Sequence, residues 1–437
     1  MPARVLRHKQ SVMNLGALAG IQLANAILPL VAYPLILGAV GAGPFSKIVV
    51  TESVTMIVLS IVLYSFDIDG VSRIADQTVR PSAERMAVVF SEVLWARLAL
   101  LGVYVAALLV ATIFLPAATS ALLLMWALLP LSHVLQSAWF YQGTERNLAA
   151  ALIAGASRVG CLVLVKLLIH APSDFIIAPL IIGGCYCVGG AASLAFAVIR
   201  DRLPLSRVPL RRIRELLIQG KEIPFGNLSV AMYRDSNVLI LGALSTPQVV
   251  SVYYIAEKAI KVFQALARPL NQLFFPKVIR ALGGMHEPNR QAFRIILRYT
   301  VPQIACLAVG EVAGVIAYVF YRDYFPAPFR SAQAHEILTL LAIMCVTVYV
   351  GVANFMFGMG GLNYLHHRRQ FAKAILTTGV CSLILCVALV KLFAATGAAV
   401  SFVLAEVLLF ALVIRYYRGE ADNIVEAAIG VPVQQAP

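Results

Sequence analysis

The sequence predicts an all-α integral membrane protein of about twelve transmembrane helices, arranged as two six-helix bundles related by a pseudo-twofold axis along the membrane normal. Three observations carry this. The 437 residues are 60% hydrophobic and only 13% charged, whereas a soluble domain is roughly 45–50% apolar and about 25% charged. Apolar runs of about 20 residues, the length that crosses a bilayer as a helix, recur along the whole chain. A dense basic stretch and a short internal repeat divide it near the middle.

The first run, at 12–40, follows the basic "MPARVLRHKQ" and continues well past the roughly 7 to 15 residues of a signal-peptide core, so it reads as a retained span. Further runs fall at 47–66, 87–115, 119–141, 148–169 and 175–199, completing six before the basic stretch. Six more follow at 222–244, 247–276, 295–320, 333–358, 371–392 and 394–416. None of the connections reaches the ~50 residues an aqueous domain requires. The seven cysteines, Cys161, Cys185, Cys187, Cys306, Cys345, Cys381 and Cys386, lie in these runs without CxxC spacing and read as packing residues. There is no GxxxxGK[ST] phosphate loop, so ATP hydrolysis is not expected and no cofactor is implied. The longest external connection, "YRDYFPAPFRSAQ", carries little catalytic chemistry, which argues against an enzyme.

A net charge of +14 suits a nucleic-acid partner in a soluble chain, but its distribution here has another cause. With both termini cytoplasmic, about 24 of the 35 Lys and Arg residues fall on the cytoplasmic side. The other side has only Lys47, Lys166, Arg322, Arg330 and Lys391, as the positive-inside rule requires. No nucleic-acid partner is expected, and the basic surplus favours anionic membrane lipid.

The densest basic stretch, "RDRLPLSRVPLRRIRELLIQGK", reads as a cytoplasmic linker at 201–221 between an N-terminal bundle (1–200) and a C-terminal bundle (222–418), with a cytoplasmic tail at 419–437. "LILGAV" at Leu35 to Val40 and "LILGAL" at Leu239 to Leu244 each end the first span of a half. Glu52 and Glu257 then occur inside the next spans. Six helices per half bring both halves in from the same side, so the implied axis lies along the membrane normal, an arrangement suited to a transporter that rocks around a central site.

Six basic residues lie within the spans: Arg97, Arg158, Arg234, Lys258, Lys261 and Arg268. Exposing all six to lipid would cost ~15–20 kcal/mol on insertion scales, so they must be paired or face water. Lys258, Lys261 and Arg268, three and seven apart, form a cationic stripe on one helix face. Asp235 and Glu257 are the nearby anions, with Glu257 in favourable i to i+4 order to Lys261. Four cations against these two anions imply a cationic internal cavity, the alternative being a structural ion-pair network. Gln22, Asn25 and Pro29 form a polar stripe that lines the same cavity or serves helix packing. Glu52, Glu92, Glu311 and Glu406 are candidate proton carriers unless locally paired, as Glu92 would be by Arg97. His133 reads as a satisfied core residue.

"SAWFYQGTERNLAAALIAGASRVG", Ser137 to Gly160, resembles the fourth-to-fifth helix junction of bacterial Wzx-type O-antigen flippases, members of the multidrug/oligosaccharidyl-lipid/polysaccharide exporter superfamily. Trp139, Phe140, Gln142, Gly143, Glu145 and Arg158 carry the match. "NAILPLVAYPLILGAVGAGPFS", "YSFDIDGVSRIA" and "YYIAEKAIKVFQALARPLNQLFFPKV" extend it, whereas the last four helices match only in hydropathy. The resemblance implies twelve helices, an inner-membrane location, and passage of undecaprenyl-diphosphate-linked oligosaccharide to the periplasmic leaflet, with polysaccharide polymerase and chain-length proteins as further partners. Carried over by position, Arg234, Lys258, Lys261 and Arg268 would attract the diphosphate and acidic sugars; Arg158, Asn25 and Gln22 are further candidate substrate-binding residues. Asp235, Glu257, Glu52, Glu311 and Glu406 would be coupling or ion-pair residues. The alternative is an ion-coupled drug or cation antiporter of the same superfamily.

Overall fold

The computed structural model describes residues 16, 20, 24–25, 28–78, 83–220, 222–325, 327–331 and 333–418. Gln22 and the tail at 419–437 lie outside them. Among the described residues there is no strand. In chain order the helices are α1 (Leu28–Val40), α2 (Ala42–Leu63), α3 (Phe66–Thr78), α4 (Ala83–Thr112), α5 (Ala117–Trp126), α6 (Leu128–Leu135), α7 (Ala138–Gly143), α8 (Asn147–Leu168) and α9 (Ile177–Arg200). They continue with α10 (Leu210–Gln219), α11 (Glu222–Arg234), α12 (Ser236–Leu244), α13 (Pro247–Ala281), α14 (Arg290–Tyr321), α15 (Ala334–Met344), α16 (Val346–Asn354) and α17 (Arg368–Arg418).

By length and composition, eight described helical stretches can each cross a membrane. This is a multi-pass membrane protein. The layout fits twelve crossings once four further segments are counted: the shorter apolar helix α1, the interrupted pair α11 and α12, the charge-bearing α13, and the second limb of α17. The chain reverses within α17 at Ala394 (φ 48°, ψ −124°), matching the division expected between the last two apolar runs. Gly397 makes the reversal possible, because a Cβ there would stand 2.1 Å from the Leu389 carbonyl oxygen.

Where helices face lipid they present large apolar side chains: Val309, Val312, Val315, Ile316 and Val319 of α14 are all more than half exposed. Lipid does not reward burying such groups against one another, so close contacts between helices rely on small residues and polar bonds. A Cβ on Gly190 of α9 would meet the Ser132 carbonyl of α6 at 2.6 Å. The largest core cluster joins α1 and α2 to α12 and α13 through Tyr33, Phe45, Leu241 and Tyr254. Helix α2 packs on α11, α12 and α13 and so forms the seam between the two halves of the chain.

The basic stretch 201–221 is more than a tether. It contains α10, which buries Ile213 and Leu216 and packs on α4. Arg212 donates to Glu92 at 2.7 Å and Arg73 pairs with the same carboxylate. The expected Arg97 partner for Glu92 is therefore not used: Arg97, fully buried, reaches Asp67 of α3 at 2.6 Å instead. Distance along α4 favoured Arg97, but α3 and α10 fold back over α4 and bring cations from elsewhere. Trp139 and Phe140 belong to the same local core, with Phe90 5.5 Å from the Trp139 ring and Gly70 leaving room for it.

Gly397→Val should lower stability by about 1–3 kcal/mol through overpacking of the α17 reversal, whereas Gly102→Ala, with open space around it, should not. Thermal unfolding of the two purified variants compares them directly, and equal midpoints would mean that the reversal tolerates a side chain.

Candidate functional site

Three spans are interrupted where they border the space between the halves. Helix α5 gives way to α6 at Ala127, α15 to α16 at Cys345 with a π-helix following at Phe355–Leu362, and α11 to α12 at Asp235. The last break falls at the charge pair in "SVAMYRDSNVLILGALS". Arg234 occupies the last turn of α11 and Asp235 the N-terminus of α12. A cation at a helix C-terminus and an anion at an N-terminus are each favoured by the peptide dipoles. Discontinuous helices of this kind expose their polar ends at mid-membrane only where they line a cavity.

A cavity of about 1,420 Å³ occupies this space, lined by both halves. It carries five basic side chains, Arg234, Lys258, Lys261, Arg268 and Arg368, and four acidic ones, Glu52, Asp69, Asp235 and Glu406. The stripe on α13 thus faces the cavity, but its charge is largely matched. Lys258 Nζ lies 3.1 Å from Glu52 Oε1, and Lys261 Nζ lies 2.9 Å from Asp235 and 3.0 Å from Glu257. Counting only the anions close in sequence overstates the positive surplus, because Glu52 arrives from α2 and Glu406 from α17.

Arg234 donates through Nη2 to Gln264, which in turn donates to Thr347 at 3.2 Å. Its Nε is buried with no hydrogen-bond partner among the described residues, as is Asn271 Oδ1 on the same wall. Asn354 Nδ2 holds Glu406 Oε2 at 2.8 Å. Three expected site residues stand away from the lining: Glu257 behind Lys261, Glu311, which accepts from Tyr349, and Arg158. Arg158 is buried behind the lining, donating to Asn25 at 3.1 Å, with its guanidinium 3.5 Å from the centroid of Tyr186. Asn25 and Pro29 do line the cavity, and so does His133.

On one side the cavity borders the contact between α2 and α13. Tyr254 donates to Glu52 beside Lys258, Tyr33 and Phe45 pack edge-on against the Tyr254 ring, and Ser251 Oγ reaches the Ala42 carbonyl at 3.4 Å. In the other direction it extends to Gln219, Gly220, Asn363 and Arg368 at the basic end. Gln264 and Arg368 were not anticipated as lining residues. Gln264 was legible in principle, three residues past Lys261 on the same helix face, whereas Arg368 reads as a loop residue by position. Tyr186 gives no signal in an otherwise apolar run.

Residues 11–281, more than half of the chain, match the family model described as polysaccharide biosynthesis protein. The chain belongs to this family. It is 22% identical over 408 residues to a curated relative from Escherichia coli (strain K12) named "Putative O-antigen transporter", covering 93% of this chain and 96% of the relative. Among solved structures it is similar to an inward-facing multidrug resistance transporter of the MATE family and MOP superfamily (TM-score 0.58, 12% identity, 95% of this chain and 100% of that one). It is also similar to the lipid II flippase MurJ in an inward closed conformation (TM-score 0.57, 12% identity, 99% and 94%). At these identities the structural likeness establishes the fold.

Removing one partner of a buried pair leaves an uncompensated charge. Glu52→Ala should therefore destabilise the protein by about 3 kcal/mol, and Glu52→Ala with Lys258→Ala by less. Thermal unfolding of wild type, both single variants and the double variant measures the coupling; additive effects would mean that the two groups do not interact.

Proposed function

We propose that the protein is a flippase that carries undecaprenyl-diphosphate-linked oligosaccharide, an O-antigen or related repeat unit, from the cytoplasmic to the periplasmic leaflet of a bacterial inner membrane by alternating access. One observation carries this reading: a cavity between the halves, lined by arginines and lysines, that reaches the basic end and holds the Glu52–Lys258 pair where α2 meets α13. The family membership and the name of the Escherichia coli relative support a saccharide-bearing cargo. The positive-inside distribution supports a cytoplasmic location for both termini and the basic end.

In this mechanism 1–200 and 222–418 are the two rocking units, joined by 201–221. The diphosphate enters the cavity and meets Arg234 and Arg268, which stay charged in any environment that wets them. The polyprenyl tail remains in lipid. Outward opening separates α2 from α13 and breaks the Glu52–Lys258 pair, and cargo in the cavity has to offset that loss. Lys258 and Lys261 thus combine attraction for the anionic headgroup with closure of the seam. Polymerase and chain-length proteins would act on the translocated unit. An ion-coupled antiporter would use Glu52, Asp235 or Glu406 as its carrier group, so carboxylate variants that abolish transport while all arginine and lysine variants retain it would favour that reading.

Deleting the gene should leave lipid-linked oligosaccharide on the cytoplasmic face, with wild type restoring passage and Arg234→Ala restoring at least tenfold less. Passage undiminished by the deletion would overturn the flippase reading.

Alternating access has a separate test. In a cysteine-free background, Ala42→Cys with Ser251→Cys should crosslink on oxidation and stop translocation, and a reductant should restore it. Full translocation by the crosslinked protein would exclude separation of α2 from α13.

A further inference from the structure

The two walls of the cavity differ in chemistry. All five basic lining residues come from α11, α13 and the start of α17, on the second half of the chain. The first half contributes Asn25, Tyr33, Trp126, His133 and Tyr186, and among the described residues its lining acids are Glu52, held by Lys258, and Asp69.

Around Tyr186 this wall is built, and its parts are oriented. Arg158 lies over the ring at 3.5 Å and donates through Nε to Asn25 Oδ1, which commits the Asn25 amide to donate from Nδ2. His133 stacks with the same Tyr186 ring, centroids 6.4 Å apart. Its Nδ1 is 3.0 Å from the Leu129 carbonyl, so the neutral imidazole offers Nε2 as an acceptor. A wall that combines the aromatic surface of Tyr186 and His133 with one oriented donor and one oriented acceptor suits a sugar ring, which has apolar C–H faces and a rim of hydroxyls.

Charge decides which kind of sugar. With Arg158 and Glu257 included, six basic groups stand against five acidic ones in and immediately behind the lining. A diphosphate diester is doubly negative and already exceeds that surplus. Further acidic groups on the cargo, as the resemblance alone implied, would find no matching cation and would add like-charge repulsion beside Asp69 and Glu52.

The geometry points to a subsite for uncharged sugar residues on the first-half wall, formed by Asn25, His133 and Tyr186, opposite the cationic wall that takes the diphosphate. This rests on the flippase reading. It adds the sugar class and the residues that recognise it, with Arg158 as a positioning residue.

The test uses the full-length protein in nanodiscs and three titrants: undecaprenyl diphosphate, the same lipid bearing a neutral disaccharide, and the same lipid bearing a disaccharide with one uronic acid. Wild type should bind the neutral glycolipid at least tenfold more tightly than either of the others. Tyr186→Leu should lose about tenfold for the neutral glycolipid and leave undecaprenyl diphosphate unchanged, whereas Tyr186→Phe should keep both. Asn25→Ala provides the same comparison if Tyr186→Leu does not fold. Equal or tighter binding of the uronate lipid, or an unchanged preference for the neutral sugar in the leucine and alanine variants, overturns the subsite while leaving the flippase reading in place. Failure to bind any of the three lipids removes both.

Discussion

An ionised side chain in hydrocarbon is costly unless it is paired, solvated or moved to the interface, and much of this structure follows from that constraint. Its clearest expression is the contact among Glu52, Lys258 and Tyr254. Two charges that could face neither lipid nor the apolar core alone are placed together, on α2 and α13, where the halves meet. Their pairing ties α2 to α13 at the edge of the cavity. Lys261, held between Asp235 and Glu257, extends the same logic one turn further along α13.

The interrupted helices are the backbone counterpart of this arrangement. A helix that stops at mid-membrane leaves amide and carbonyl groups without intrahelical partners, tolerable only beside a polar space. The break at Arg234 and Asp235 and the irregular turns after Asn354 both border the cavity. Charged side chains and helix ends thus support each other. Both border the cavity, and the dipoles of the broken helix favour the sign of each charge.

At the basic end the same constraint is met differently. Glu92, Arg73, Arg212, Arg97 and Asp67 form a network over α4 that fixes α3 and α10 in place. Trp139 and Phe140 pack into the local core beneath. The aromatic residues that carry the sequence resemblance are therefore packing residues, while the groups lining the cavity are spread over other helices. A motif can identify a family through its scaffold without marking the site.

Much of the fold was legible because hydrocarbon thickness and helix rise set the length of a span, and helical periodicity shows which residues share a face. The apolar runs, the reversal near Ala394 and the common face of Lys258, Lys261 and Arg268 follow from those two facts. Partners across helices did not. Glu52 and Lys258 are 206 residues apart, and Glu92 turned from the nearby Arg97 to Arg73 and Arg212. Periodicity reports a face within one helix, but which faces meet depends on how the helices pack. For the same reason a local count of charges predicted a cationic cavity, and only the tertiary structure brought in the acids that nearly balance it and set the tyrosine and histidine beside Asn25 on the opposite wall.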